Sequence, residues 1–196
     1  LLWDAQTGEL IYKFEGHVAD IKTADFSPEG LMILTVGGVG TAKAWDVSTG
    51  KLLYNIGVNW DESDDLLLYE TYESKENEYH VAIASWSQDG QRVLTNNGEG
   101  NIKIWDASTG IFLDSLKDVE CANLAKWSPV GNNILTVCTG MRIEIWDALS
   151  DTLVSYGWHH HYVTDAFWSP GGKKVLTKSG TTMRSWDDTY PNLLHD

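Results

Sequence analysis

Residues 87–110 read Ser87-Gln88-Asp89-Gly90, Gln91-Arg92-Val93-Leu94-Thr95, Asn96-Asn97-Gly98-Glu99-Gly100-Asn101, Ile102-Lys103-Ile104-Trp105-Asp106 and Ala107-Ser108-Thr109-Gly110. A Ser-led turn ending in Gly leads into a short apolar run. A glycine-bearing turn then leads into a run that alternates with period two, and an Asp-x-x-Thr-Gly turn follows. The same order recurs along the chain. Trp-Asp pairs stand at Trp3-Asp4, Trp45-Asp46, Trp105-Asp106, Trp146-Asp147 and Trp186-Asp187, with gaps of 42, 60, 41 and 40 residues between the tryptophans. The Ser-led turns recur as Ser27-Pro28-Glu29-Gly30, Ser128-Pro129-Val130-Gly131 and Ser169-Pro170-Gly171-Gly172. Pro at the second position presets φ, and Gly at the fourth suits a type I turn. An aromatic residue precedes each Ser (Phe26, Trp86, Trp127, Trp168), and a Thr follows eight residues later (Thr35, Thr95, Thr136, Thr177).

Each repeat supplies four short strand candidates: one before the Ser turn, one ending at the Thr, one ending at Trp-Asp, and one after the Asp turn, as in Leu52-Leu53-Tyr54. A unit of four antiparallel strands with a period near 40 is a propeller blade. The chain therefore resembles the WD-repeat β-propeller family over nearly its whole length. The fold class expected is all-β, a β-propeller of four-stranded antiparallel blades in an incomplete or open ring. The divisions are 1–14 for the end of a truncated blade, 15–56 for a blade, 57–79 for an acidic insertion, and 80–116, 117–156 and 157–196 for three further blades.

The resemblance also implies structural roles. In the family, a His from a Gly-His pair, a strand Ser/Thr, the Trp and a loop Asp form one hydrogen-bonded set. Gly16-His17 with Thr35 and Trp45 matches it. Thr95 with Trp105, Thr136 with Trp146, and Thr177 with Trp186 match in part. His80 is a candidate for the second Gly-His, and Val119-Glu120 stands where the third belongs. The last copy offers Gly157-Trp158-His159 or a neighbouring His. The loop Asp is absent from all four copies, so the repeats are divergent.

Composition bounds the function. With 28 acids against 14 bases the net charge is −14, which disfavours nucleic acid and anionic membranes as partners. No apolar run is long enough to span a bilayer. The two cysteines, Cys121 and Cys138, are read as reduced thiols of an intracellular, cytoplasmic protein. No nucleophile elbow or phosphate loop is present, and Gly37-Gly38-Val39-Gly40 falls in a turn between strands. His159-His160-His161 lacks the further ligands a zinc site needs. Neither an enzyme nor a cofactor is expected.

The gap between Trp45 and Trp105 holds the acidic insertion, and Asn59 to Tyr79 carries eight acids against the single base Lys75. Leu66-Leu67-Leu68-Tyr69 lies inside it. Acids steer a basic partner and apolar residues anchor it. The candidate partner-binding residues are Asp61, Asp64, Asp65, Leu67, Tyr69, Tyr72, His17, Glu120, His160 and Tyr162. The function expected is a non-catalytic protein-interaction scaffold. The alternatives are a regulatory or sensing array of a larger NTPase or signalling protein, and a structural subunit of a large assembly.

The chain opens at Leu1-Leu2-Trp3-Asp4, inside the third strand of a blade. Four further blades leave an open array whose terminal faces call for cover. Missing blades of a longer protein, or another chain, are expected there. A pair of these chains closing an eight-bladed ring is the secondary alternative.

Overall fold

In the computed structural model, residues 1–17, 19–37, 42–56, 83–96, 102–117, 119, 122–138 and 141–187 are described. Every regular element among them is a strand. β1 (Leu2–Trp3) and β2 (Leu10–Tyr12) form a half-blade. β3 (Ile21–Phe26), β4 (Met32–Gly37), β5 (Ala42–Asp46) and β6 (Leu52–Ile56) form the first whole blade. β7 (Ile83–Trp86), β8 (Arg92–Asn96), β9 (Ile102–Asp106) and β10 (Phe112–Leu116) form the second. β11 (Leu124–Trp127), β12 (Asn133–Val137), β13 (Arg142–Asp147) and β14 (Thr152–Trp158) form the third. β15 (Val163–Trp168), β16 (Lys174–Ser179) and β17 (Thr182–Asp187) give the last blade three strands among the described residues. The sheets are antiparallel and paired in chain order, and the array is not closed.

Two turns per blade sit at one end of the array and carry the repeated polar residues. In the Ser turns, Gly30, Gly90 and Gly172 donate their amides to the carbonyls of Ser27, Ser87 and Ser169 at 2.8–2.9 Å. The Ser hydroxyls accept from the amides of Met32, Arg92 and Lys174. In the Asp turns, one carboxylate oxygen of Asp46 accepts from the Thr49 amide, the Thr49 hydroxyl and the Ser48 hydroxyl at 2.7 Å each. Asp106 does the same with Ser108 and Thr109. These hydrogen bonds hold both carboxyls below the usual carboxylate range. Backbone bonds from Val47 to Leu31, Ala107 to Gln91 and Ala148 to Asn132 tie the two turns of each blade together.

A tyrosine explains where the repeat keeps its glycine. Tyr12 on β2 donates its hydroxyl to the Ser48 carbonyl of the next blade at 2.6 Å, and Tyr54 on β6 donates to Ala107. Burial, with a smaller contribution from Asp106, pushes the Tyr54 phenol up to about 12, so it remains a donor. These rings lie against Gly50 and Gly110, which adopt φ of 68° and 72°. In the third blade the position equivalent to Tyr54 on the preceding outer strand is Asp114, and the glycine position is Asp151, at φ 50°. With no ring there, a side chain fits, and Asp151 accepts the Lys117 amide at 3.2 Å. Gly110→Ala is therefore expected to cost about 2–4 kcal/mol, from the left-handed backbone plus the clash with Tyr54. Asp151→Gly should stay within about 1 kcal/mol of neutral, because relief of φ offsets the lost hydrogen bond. Urea denaturation of both variants checks the contrast.

The core lies between blades rather than within one. Leu34, Val36 and Ala42 of the first blade pack with Trp86, Val93 and Trp105 of the second. Leu94, Ile102 and Ile104 pack with Ala125, Trp127 and Ile134 of the third. Leu135, Ile143 and Ile145 pack with Ala166 and Val175 of the last. Each fully buried Leu or Ile contributes about 1.5–3 kcal/mol.

Cys138 corrects the reading of two reduced thiols: it is disulfide-bonded. The chain's other cysteine is Cys121, which lies outside the described residues. Cys138 follows β12, where the Asn123 amide donates to the Val137 carbonyl and Leu124 faces Val137.

Candidate functional site

Each connection from the outermost strand of a blade to the innermost strand of the next emerges opposite the Ser and Asp turns. Four connections join strand ends at that end of the array, 13–20, 57–82, 117–123 and 159–162, and 57–82 lies outside the described residues. Of the candidate binding residues, Asp61, Asp64, Asp65, Leu67, Tyr69, Tyr72 and Glu120 lie outside the described residues. His17, His160 and Tyr162 are described, on the first and last connections.

His17 is half-buried and its Nε2 lies 2.7 Å from Thr35 Oγ1. Thr35 also accepts the Trp45 indole N–H at 2.7 Å and directs its own hydroxyl toward the Lys43 carbonyl at 3.4 Å. The last blade repeats the arrangement: His159 Nε2 is 2.6 Å from Thr177 Oγ1, which accepts from Trp186 at 2.7 Å. In the second blade Trp105 donates to Thr95 at 2.8 Å, and His80 lies outside the described residues. Of the three consecutive histidines, His159 is thus the buried one, while His160 and His161 are exposed. Among the described residues no group of three or more His, Cys, Asp or Glu side chains could hold a metal ion.

The third blade is wired differently, which the sequence pattern did not reveal. Val119 is buried, and Glu120 next to it lies outside the described residues. Glu144 is 2% exposed. Its Oε2 accepts from the Trp146 indole at 3.0 Å and the Thr136 hydroxyl at 3.3 Å, and its Oε1 pairs with Arg142 at 2.9 Å. The position two before the Trp holds Lys43, Lys103 and Arg184 in the other blades. The reversal of charge at Glu144 was the available signal.

Burial, reinforced by Lys43 at His17 and by Arg184 and His160 at His159, lowers both histidine pKa values from 6.5. The folded state therefore binds fewer protons than the unfolded state below that value. The stabilisation they provide is present above pH 6.5 and is lost as pH falls below it. Thermal melts from pH 7.5 to 5 should show a falling midpoint, and His17→Asn with His159→Asn should flatten that slope.

A surface cluster that sequence reasoning missed adjoins the last connection. Arg142 sits over the rings of Tyr156 and Trp158 at 5.4 and 5.7 Å. Trp158 and Tyr156 are exposed, as are Met141 and Tyr162 nearby in the chain. The alternation of β14 puts Tyr156 and Trp158 on one face of an outer strand. That alternation was legible, but the exposure of both rings on the edge strand of the third blade was not.

A sequence model of the "WD domain, G-beta repeat" family matches residues 8–46 and 71–106, on the blades whose Trp–Thr bonds are described above. WD repeats are thus matched on two stretches of a β-propeller array. It is similar to the "Eukaryotic translation initiation factor 3 subunit I" of Lodderomyces elongisporus, at 27% identity over 59% of this chain and 32% of that protein. It is also similar to the same-named protein of Phaeosphaeria nodorum, at 25% identity over 59% of this chain and 46% of that protein. "Small ribosomal subunit protein RACK1y" of Oryza sativa subsp. japonica is 24% identical over 55% of this chain and 40% of its own length. The chain therefore spans less than half of these curated relatives. Among solved structures, the computationally designed Ika8 protein matches with a TM-score of 0.72 and 21% identity, covering 94% of the WD-repeat chain and 51% of Ika8. The designed Ika4 protein matches with a TM-score of 0.70 and 21% identity, covering 92% and 98%.

Proposed function

We propose that this WD-repeat array is a non-catalytic protein-interaction scaffold that takes its partners on the face formed by the outer-to-inner connections. The observation that carries the reading is the composition of that face. Trp158, Tyr156, His160 and Tyr162 are exposed at or beside that end of the strands, and the connection whose sequence carries eight acids against one base joins two of those strand ends. Aromatic residues and Arg are the side chains that most often anchor interfaces, and acids around them steer a basic partner. The relatives' names belong to translation initiation and the small ribosomal subunit, so a structural subunit of a large assembly is the second reading. An intracellular, cytoplasmic setting goes with those names, and the Cys138 disulfide weighs against it.

Deleting Asp61 to Glu76 is the direct test. Loop closure changes slowly with length, so the melting midpoint should move by the equivalent of about 1–2 kcal/mol at most. Binding to proteins captured from the native source should weaken, with the larger loss at low salt. Unchanged capture, or a deletion variant that no longer folds, contradicts the proposal.

A further inference from the structure

The third blade ends in an open edge. β14 is the last strand of its sheet, and among the described residues no strand pairs with its far side. The His159 amide donates to the Met141 carbonyl at 2.7 Å. In the same register Gly157 faces Ile143 and Ser155 faces Ile145, so Gly157 and Ser155 exchange hydrogen bonds with β13. The amides and carbonyls of Tyr156 and Trp158, between them, point away from β13.

Unpaired edges are commonly kept short or charged, which discourages a further strand. β2 has three residues and is followed by Lys13, and β6 has five and follows Lys51. β10 has five, with Asp114 inside it and Lys117 after it. β14 has seven, with no charged residue and no proline. Its side chains are sorted by face. Ser155 and Gly157 are buried on the side of the last blade, where the Trp186 ring lies against Gly157. Tyr156 and Trp158 are 44% and 54% exposed on the other side. Arg142 steadies both rings, and Glu144 answers its charge. The edge therefore joins a row of open backbone donors and acceptors to an aromatic shelf.

Charge selects what the edge can take. Residues 143–172 hold Glu144, Asp147, Asp151 and Asp165 and no Lys or Arg, in a chain of net −14. A second copy brings the same charge to the same place and is repelled. A segment flanked by Lys or Arg is attracted, and beyond Thr152 it meets Asp147 and Asp151 at the turn before the strand. Within the scaffold role proposed above, on which this rests, we infer that the free edge of β14 takes an extended segment of a basic partner as a fifth strand of the third blade. Main-chain hydrogen bonds to Tyr156 and Trp158 supply affinity. Apolar side chains at alternate positions of the segment pack on the two rings.

The test uses the whole chain and a synthetic peptide of alternating valine and threonine, closed at both ends by lysines. Hydrogen exchange should show the Tyr156 and Trp158 amides gaining protection, and added salt should weaken binding. Valines opposite the two rings turn their amides toward β14, so the peptide N-methylated at its valines should bind about tenfold more weakly or worse. Glutamates in place of the lysines should also weaken it. Tyr156→Pro removes an outward N–H and leaves the β13 ladder intact, so it too should weaken binding about tenfold. Tyr156→Ala keeps that N–H and should lose less than about fivefold. Circular dichroism checks both folds, and if Tyr156→Pro unfolds, the N-methylated peptide on the native chain decides. Equal binding of the N-methylated and plain peptides, or protection confined to other edges, overturns the inference. So does a native chain that dimerises with Tyr156 and Trp158 already protected. If the peptide fails while deletion of Asp61 to Glu76 still weakens capture of native partners, the edge assignment falls and the scaffold role stands. Peptide binding at β14 with capture unchanged by that deletion supports the edge and tells against the insertion.

Discussion

Trp105→Ala should destabilise the chain by about 3–5 kcal/mol. Trp105 is buried between the first and second blades among Leu34, Val36 and Val93, and it meets the edge of Phe112 with ring centroids 5.6 Å apart. Its indole N–H is the donor to Thr95. Truncation removes a large ring from an interface between sheets, where backbone ladders on both sides restrict collapse into the space. It also leaves the buried Thr95 hydroxyl without that donor. His160→Ala, on an exposed connection, should change stability by less than about 0.5 kcal/mol. Chemical denaturation followed by circular dichroism measures both. A neutral Trp105→Ala would mean that the second blade is not assembled as described.

Glu144→Ala should be comparably damaging, at about 3–5 kcal/mol. The carboxylate is the shared acceptor for Trp146 and Thr136 and the ion-pair partner of Arg142. Removing it strands a buried indole N–H and a buried hydroxyl, and it leaves a guanidinium whose Nε is already buried without a partner. Glu144→Gln keeps an acceptor of the same length and should lose clearly less. If Glu144→Ala and Glu144→Gln prove equal in urea melts, the carboxylate charge and its paired oxygens do not organise the third blade.

These two predictions also mark what the sequence could and could not convey. The blade at Trp105 was legible, because the Ser turn, the Thr and the Trp-Asp pair recur at a fixed offset. That offset is set by strand length and turn chemistry, both of which are local. The role of Glu144 as acceptor for Trp146 and Thr136 went unread, although its charge, opposite to Lys43, Lys103 and Arg184 at the same position, was there to be noticed. The exchange of Gly110 for Asp151 was hidden, since its cause is a tyrosine on the neighbouring blade. On the connection face, the sequence drew attention to acids and histidines. Tyr156 and Trp158 escaped notice because alternation on an outer strand does not tell whether the rings at the sheet edge are covered.

Hydrogen exchange of the chain alone and in complex with a captured partner addresses the scaffold reading most directly. The account predicts protection on binding in the outer-to-inner connections, at 57–82 and at 156–162. The Ser and Asp turns at 27–30, 87–90, 106–110 and 169–172 should exchange as in the free chain. Protection concentrated in those turns, with the connections unchanged, would contradict it.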